Sequence, residues 1–462
     1  MAKSWARASG GACGVLLLLA ACASPAPPKL EIAPQALLDR RLDDPRLQRF
    51  IESESRQANS AGRATDDWDL ERLTLAALYF HPDLTIARSR LQMAQAHAQT
   101  ARSKPGPGLS ATLGRGAGGL VASPWVVGAA IDFLLEPGDR RDLRVKQADA
   151  LVGAAQADLR QASWQVRARV YAVLLDYWSA QRRVDPLKQQ LDLQSHRAEL
   201  LERRVAAGEN PRADLRRELA LREQLAAGLA QAQTDLAAAR VGLAQAIAVP
   251  VAALDPISLS IDWLDGAPQF DLAQVDVERR RDALTRRADI GDALFQLDAA
   301  QADLQAELSR RWPDLHLGPG YQYDLGANKY TVSMSLDWPR SRDGPVGEAA
   351  ARRELAAAEL LASQARVLSQ IEYAVAAWQA AVPMLQSARA VTEHAQAGEQ
   401  VANRLFDSGA IDRPALLAAR IDRIESQRAG RIALERQRRA LAALEDALQA
   451  PLEPGRREPV AP

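Results

Sequence analysis

The clearest pattern along the chain is a double alternation of apolar and polar residues between positions 312 and 340. The apolar residues of the first run are Leu315, Leu317, Tyr321 and Tyr323, and they alternate with His316, Gly318, Gly320, Gln322 and Asp324. The apolar residues of the second run are Tyr330, Val332, Met334, Leu336 and Trp338, and they alternate with Thr331, Ser333, Ser335 and Asp337. A period of two is typical of β-strands. The stretch therefore predicts a β-hairpin over 312–340, with its turn at 325–329.

The dimensions of this hairpin suit a membrane. Each run has about ten residues, the length that a tilted strand needs to cross a bilayer. Trp312 and Trp338 stand at one end and Tyr323 and Tyr330 near the other, as in the aromatic girdles of outer-membrane barrels. At about 3.3 Å per residue and a tilt near 40°, the span is on the order of 25–28 Å. A hairpin that covers a core of helices would show the same alternation, and both interpretations stay open at this point.

A second stretch, 106–137, has the same design. Leu109, Ala111 and Leu113 alternate with small polar residues, and a second run places apolar residues on one parity. The members of that run are Trp125, Val127, Ala129, Ile131 and Phe133. The glycine-rich sequence at 114–119 superficially resembles a phosphate-binding loop, but no predicted helix begins there, so it favours a flexible hairpin tip.

Helical periodicity fills almost all of the remaining chain. The predicted helices are 68–103, 140–206 and 347–407, and two return helices that end at Ala248 and Leu448. The helix over 140–206 would be roughly 100 Å long at 1.5 Å per residue. Pro186 and Pro383 are predicted to interrupt the two long helices with equivalent kinks.

Leucines spaced by seven in the return helices predict coiled-coil packing. They are Leu229, Leu236 and Leu243 in the first helix and Leu434, Leu441 and Leu448 in the second.

The order helix, hairpin, long helix, turn, helix occurs twice, which predicts an internal repeat. The first repeat covers 68–250 and the second 281–450, with a connector at 251–280 and a disordered proline-rich tail at 451–462. The segments 77–84 and 283–290, near the start of the first helix in each repeat, are similar in outline and support this repeat. The predicted class is therefore mainly α with a small β part.

The first residues predict export and lipidation. Residues 1–21 have a positive start and a short apolar segment, which is typical of a signal peptide and too short for a membrane-spanning helix. The sequence Leu19-Ala20-Ala21-Cys22 matches the lipobox, so Cys22 is expected to carry a lipid anchor, followed by a tether over 22–67. An ordinary signal peptide with an incidental cysteine is the alternative. Cys22 would be the single cysteine of the mature chain, which excludes an intramolecular disulfide.

Composition narrows the possible functions. The chain is 47% hydrophobic but only 5% aromatic, which suits long, closely packed helices. Its 58 basic and 58 acidic residues give a formal charge of zero without a basic stripe, so we expect no nucleic-acid partner. The five histidines form no metal or catalytic motif, and no nucleophile elbow is present. We expect no catalytic residues, no metal site and no cofactor.

Across nearly the whole mature chain, the sequence resembles the TolC-like outer-membrane efflux protein family. The residues that carry the resemblance are His81-Pro-Asp-Leu84, the hairpin end Asp337-Trp-Pro339, the turn Arg404-Leu-Phe-Asp-Ser-Gly409 and Leu416-Leu417. The resemblance implies a homotrimer in which four strands per chain complete one twelve-stranded barrel, continued by an α-helical tunnel across the periplasm. Lipid cannot satisfy the open edges of four strands, so closure by other copies is also a physical requirement.

The resemblance further implies a passive exit duct, located in the outer membrane and extending into the periplasm, that serves an inner-membrane pump through a periplasmic adaptor, the membrane fusion protein. In this family the turns between the long helices form the tip where adaptor hairpins dock. The matching positions here are Arg203, Val205, Ala206, Gly208, Arg404, Phe406, Ser408 and Gly409. Candidates for a channel gate beyond these turns are Arg212, Asp214, Asp412 and Arg413. The two glycines are equally well explained as helix C-caps.

Two other classes share long helical hairpins. A periplasmic adaptor subunit should also contain a compact β-rich domain, for which the sequence gives no signal. A structural coiled-coil lipoprotein requires both hairpins to pack on helices.

Overall fold

The structure is a computed structural model that describes residues 34–57, 67–116, 124–136, 138–324, 326–337 and 341–453. The chain divides into two compact units, Met1–Arg40 and Arg41–Pro462. In the first unit the described residues include one short helix, α1 (Gln35–Leu38). The predicted signal peptide, Cys22 and most of the tail after 451 lie outside the described residues.

The second unit contains nine helices longer than one turn and four strands among the described residues. In chain order they are α2 (Pro45–Gln57), α3 (Leu70–Phe80), α4 (Pro82–Arg102), β1 (Gly108–Arg115), β2 (Trp125–Leu135), α5 (Arg140–Ala206), α6 (Arg212–Ile247), α7 (Val277–Arg286), α8 (Ala288–Ser309), β3 (Asp314–Asp324), β4 (Ala327–Asp337), α9 (Asp343–Asp407) and α10 (Arg413–Leu448). Most of the chain is therefore helical, as the periodicity predicted, and α7 begins inside the stretch assigned to the connector.

As breaks, the predicted interruptions are wrong, because α5 and α9 run through Pro186 and Pro383, while the kinks themselves stay a prediction. A proline inside a helix has no N–H and leaves the carbonyl four residues earlier without its helical donor. For Pro186 that carbonyl belongs to Arg182, and it accepts a hydrogen bond from Arg431 Nη1 of α10 at 2.6 Å. A neighbouring helix thus supplies the missing donor.

The predicted single helix over 68–103 is also wrong, because His81 divides it into α3 and α4. The residue before a proline is disfavoured in the helical region, and His81 has an extended backbone before Pro82. Its Nδ1 accepts a hydrogen bond from the backbone N–H of Asp83 at 3.2 Å, which caps α4. Arg287 separates α7 and α8 at the aligned position.

The four strands form one antiparallel sheet in the order β1-β2-β3-β4. Its register places Leu113 opposite Val127, and Tyr321 opposite Tyr330. The predicted turn at 325–329 is too long, because pairing continues to Asp324 and Ala327. Asn328 and Lys329 therefore belong to β4 and not to the turn.

The two larger of three hydrophobic clusters provide most of the core of the described helices. The larger one joins α2, α3, α5, α6 and the segment after α6, and its largest fully buried side chains include Trp178 and Tyr171. The smaller one joins α7, α8, α9 and α10. The predicted leucine spacing is confirmed in α10, where Leu434, Leu441 and Leu448 are all buried. In α6 only Leu243 of the three predicted leucines is buried.

Three short 3₁₀ helices, Val251–Leu254, Asp262–Asp265 and Leu272–Gln274, form the segment between α6 and α7. Arg438 of α10 is buried and donates from Nη2 to the carbonyl oxygens of Trp263 and Gly266, each at 2.8 Å. Arg182 of α5 forms ion pairs with Asp262 and Asp265 on the exposed side. The connector is therefore held against both α5 and α10 by arginine side chains.

Candidate functional site

One face of the sheet is apolar and exposed. The apolar parity predicted for each hairpin lies on this face, since the register pairs Leu109 with Ile131, Phe133 with Leu317, and Leu317 with Met334. Its exposed members are Leu109, Leu113, Trp125, Val127, Ile131, Phe133, Leu135, Tyr321, Tyr330, Val332, Met334 and Leu336. A soluble monomer rarely exposes so large a contiguous apolar patch, which instead marks a membrane or protein contact.

Aromatic rings lie at both ends of this face. Trp312, just before β3, is exposed, while Tyr321 and Tyr330 pair near the opposite end with ring centroids 5.5 Å apart. Trp125 is also exposed there, and the guanidinium of Arg115 lies over its ring at 5.7 Å. Trp338, which the sequence analysis placed in the girdle, lies outside the described residues. The ring positions suit the two interfaces of a bilayer.

The opposite face of the sheet carries small and polar residues. Gly318 and Ser333 face each other across β3 and β4, and the Ser333 hydroxyl donates to the Gly318 carbonyl at 3.0 Å. A Cβ built on Gly318 would lie 2.3 Å from the Ser333 oxygen, so a larger residue would force the serine aside. Where the strands join the helices, His316 contacts Asp132 of the neighbouring strand. No local sequence pattern signals that contact, because 184 residues separate the pair.

At the other end of the long helices, the two turns have the same backbone structure. Gly208 and Gly409 adopt positive φ values of 79° and 75°. Gly208 N–H donates to the carbonyl of Val205, and Glu209 N–H donates to that of Arg204. The second turn repeats both bonds from Gly409 to Phe406 and from Ala410 to Leu405. These are Schellman caps, in which glycine provides the left-handed residue without steric cost.

The residues predicted for docking lie at these turns. All except Val205 are exposed, and Val205 is partly buried. Phe406 is 36% exposed, although it is a large apolar side chain on the last turn of α9. The structure therefore brings Gly208 and Gly409 to the matching ends of two helical hairpins, and it leaves most of the predicted side chains accessible.

An ion pair joins the two turns. Arg204 Nη1 lies 2.8 Å from Asp412 Oδ2, so the end of α5 contacts the start of α10. The pKa of Asp412 is lowered, first by the hydrogen bond from Ala415 N–H and then by the hydrogen bond from Arg204. Asp412 is thus a negatively charged N-cap of α10. Asp412 was predicted from the sequence but Arg204 was not, because their pairing depends on how the two hairpins meet.

The other gate candidates have fewer contacts with the opposite turn. Arg212 and Arg413 are exposed at the starts of α6 and α10. Asp214 lies 3.7 Å from Arg217 on the same helix, a contact within a single hairpin. The structure therefore connects only Asp412, among the four candidates, to the opposite turn.

Two further features bear on function. Within the described ranges, none of the helices is long and apolar enough to cross a membrane. The same part of the chain contains no group of three or more histidine, cysteine or acidic residues that could hold a metal ion.

Comparison with known proteins agrees with the architecture. Residues 75–249 match the family model of the outer membrane efflux proteins. The matched segment, less than half of the chain, is thus similar to the outer membrane efflux proteins. The resemblance found in the sequence is thereby confirmed, and the matched family is one of outer-membrane proteins.

One curated relative is the cobalt-zinc-cadmium resistance protein CzcC of Cupriavidus metallidurans. It is 26% identical over 211 residues, which cover 46% of this chain and 49% of the relative. The chain thus spans about half the length of that relative in the alignment.

Solved structures support the fold over a larger part of the chain. VceC of Vibrio cholerae is 20% identical, with a TM-score of 0.66, and the match covers 83% of this chain and 97% of VceC. CmeC of Campylobacter jejuni is 15% identical, with a TM-score of 0.67, and the match covers 84% of this chain and 87% of CmeC. VceC is described as an outer membrane protein and CmeC as an outer membrane channel. The matched family is thus one of efflux proteins, and one of these structural neighbours is a channel.

Proposed function

We propose that this efflux protein is the outer-membrane exit duct of a tripartite efflux or type I secretion system. It would conduct small molecules or proteins passively from an inner-membrane pump and its adaptor to the exterior. The observation that carries this proposal is the sheet, whose apolar side chains are exposed on one face while small polar residues line the other. That arrangement suits a wall between lipid and a water-filled channel.

The open edges of the sheet support a homotrimer. β1 and β4 each pair on one side only, and β4 is exposed along its whole length. Unpaired backbone groups are costly in lipid, so each edge requires a strand from another copy. We infer that three copies complete a twelve-stranded barrel and a helical tunnel.

An internal twofold repeat is supported by details of the two halves. The helix breaks at His81 and Arg287, the caps at Gly208 and Gly409, and the left-handed helix ends at Ala248 and Gln449 occur in the same order. We therefore retain repeats over 68–250 and 281–450 and the connector over 251–280 as the proposed organisation. The predicted disorder over 451–462 is wrong for the first residues of that tail, since Leu452 is buried and its N–H donates to Glu445.

Anchoring by Cys22 is the first prediction. The Leu-Ala-Ala-Cys box predicts that residues 1–21 are removed and that Cys22 is acylated. Mass spectrometry of the mature N-terminus should find a lipid-modified cysteine, and an unmodified residue or cleavage elsewhere would contradict the prediction. Cys22→Ser should weaken anchoring while trimers still assemble, because the sheet itself would hold the protein in the membrane.

Docking of the adaptor at the turns is the second prediction. Phe406→Asp places a charge on an exposed ring position, and Gly409→Val strains a backbone with φ of 75°. Neither residue contacts the sheet, so both variants should form trimers in the outer membrane. Cargo export and in-cell crosslinking to the cognate adaptor should fall.

Thr285→Asp provides a matched control, since it adds a charge to the exposed surface of α7, away from the turns. Its export and crosslinking should equal those of the wild type. Normal export and crosslinking in both turn variants would remove the turns from the mechanism, whereas loss of trimers would assign these residues to folding.

We further propose that the channel gate lies at the end of the tunnel formed by these turns. Of the candidates Arg212, Asp214, Asp412 and Arg413, Asp412 has the strongest support, since it pairs with Arg204 across the two hairpins. Asp412→Ala should raise the conductance of the purified trimer. In cells, the same variant should crosslink to the adaptor as well as the wild type does. Unchanged conductance would argue against a gate at this pair.

The two alternative functions are not favoured. A structural coiled-coil lipoprotein requires the hairpins to be covered by helices, but their apolar face is exposed. A periplasmic adaptor subunit requires a compact β-rich domain, and the described strands all belong to one four-stranded sheet.

A further inference from the structure

The polar face of the sheet carries a group of charged residues at the end where the strands join α5, α8 and α9. We call this group the base cluster and define it as Asp132 of β2, Asp314 and His316 of β3, Asp337 of β4, and Arg140 at the start of α5. Register places Asp337 opposite Asp314, and His316 lies two residues further along the same face. Three adjacent strands thus bring their charges to one level of the sheet.

His316 lies between two of the carboxylates. Its Nδ1 is 2.8 Å from Asp132 Oδ2, and its Nε2 is 3.7 Å from Asp337 Oδ2. The third carboxylate, Asp314, forms an ion pair with Arg140, which also donates to the Trp312 carbonyl. Three carboxylates therefore share one guanidinium and one imidazole, which leaves an excess of negative charge.

Among the described residues of the sheet, the far end of the same face has no such excess. There Lys329 Nζ pairs with Asp324 Oδ2 at 2.6 Å, one charge for one charge. Between the two ends the face carries glycine, alanine, serine and threonine, which add no charge. Fixed charges of one sign around a narrow water-filled passage raise the local concentration of counter-ions.

We propose that the base cluster makes the inner end of the barrel prefer cations over anions, and that protonation of His316 reduces this preference. The proposal rests on the proposed trimeric channel, in which each copy contributes one cluster to a common passage. The facing charged groups are Asp132 from β2, Asp337 from β4, and Asp314 with its partner Arg140. Protonated imidazole adds a positive charge among these carboxylates, so the preference should be weaker in acid than at neutral pH.

The test uses purified full-length trimers in planar lipid bilayers under a KCl gradient, where the reversal potential gives the permeability ratio of K⁺ to Cl⁻. The wild type should favour K⁺. Asp337→Asn and Asp132→Asn should each lower the ratio by about twofold or more, because three charges leave each trimer. Asp262→Asn removes the same charge from an exposed position on the connector, and its ratio should equal that of the wild type.

His316 is tested in the same bilayers near pH 9 and near pH 5.5, a range wide enough to change the charge of an imidazole that lies between carboxylates. The wild-type ratio should fall in acid, and His316→Gln should show the same ratio at both values. This proposal alone would be overturned if the trimer conducts but its K⁺ to Cl⁻ permeability ratio is unchanged in both aspartate variants. It would also be overturned if the ratio of His316→Gln still changes with pH. Absence of any trimer or conductance would overturn the proposed channel and this proposal together.

Discussion

Val332→Arg and Met334→Arg will each reduce the yield of assembled trimer in the outer membrane. Both side chains are exposed on the apolar face of β4, where the proposed barrel contacts lipid. A charged arginine at mid-bilayer depth costs about 2–4 kcal/mol per chain in a membrane barrel, and every copy carries the substitution. The measurement is the amount of heat-resistant trimer in outer-membrane fractions, compared with the total protein made.

The matched control for these variants is Ser333→Arg, which lies between them in sequence but on the opposite face. It loses the hydrogen bond to the Gly318 carbonyl, worth about 0.5–1.5 kcal/mol, and directs its charge into the proposed water-filled passage. Its trimer yield should stay close to that of the wild type while its conductance changes. Equal losses at all three positions would mean that the sheet has no lipid-facing side.

Glu445→Leu will destabilise the helical part by about 3–5 kcal/mol, because it leaves a buried guanidinium without its carboxylate. Arg167 of α5 and Glu445 of α10 are 5% and 1% exposed, and their closest N–O distance is 3.2 Å. Glu445 also accepts a hydrogen bond from Leu452 N–H at 3.0 Å. The midpoint of thermal unfolding, followed by circular dichroism, should fall clearly below that of the wild type.

The double variant Arg167→Leu with Glu445→Leu separates charge from packing. Removing both charges restores an apolar contact, so most of the lost stability should return. Arg90→Ala breaks an exposed ion pair with Asp158 and should cost no more than about 1 kcal/mol. A double variant as unstable as Glu445→Leu would show that the unpaired charge is not the cause.

Features encoded by neighbouring residues were predicted well from the sequence. The two faces of the sheet follow from alternation alone, and the register pairs Tyr330 with Tyr321 and Ser333 with Gly318, as the predicted faces require. The predicted start and end of the first long helix, 140 and 206, coincide with those of α5. Gly208 and Gly409 were recognised as possible caps because a left-handed residue after a helix is usually glycine.

Features that depend on distant residues were missed or predicted wrongly. Pro186 was expected to interrupt α5, but the carbonyl that it frees is satisfied by Arg431, 249 residues away from Arg182. No local pattern signals such a donor. The pairs Arg204 with Asp412 and His316 with Asp132 likewise form only when separate hairpins meet. The break at His81 is different, since Pro82 gave a local signal that the helical periodicity concealed.

The partners of α5 have a consequence for how the chain reaches its folded state. The last helix, α10, forms three hydrogen bonds with α5 over separations of 249 to 282 residues. Arg431 donates to the Arg182 carbonyl, Glu445 accepts from Arg167, and Asp446 accepts from Trp164. Contacts so distant in sequence close late, because the entropy of a long loop must be overcome first. The first half can form its own contacts between α5 and α6 early, whereas these links to α10 form only after the last helix has been made. A chain that ends before α10 would therefore leave the Arg182 carbonyl and the buried Arg167 side chain without these partners.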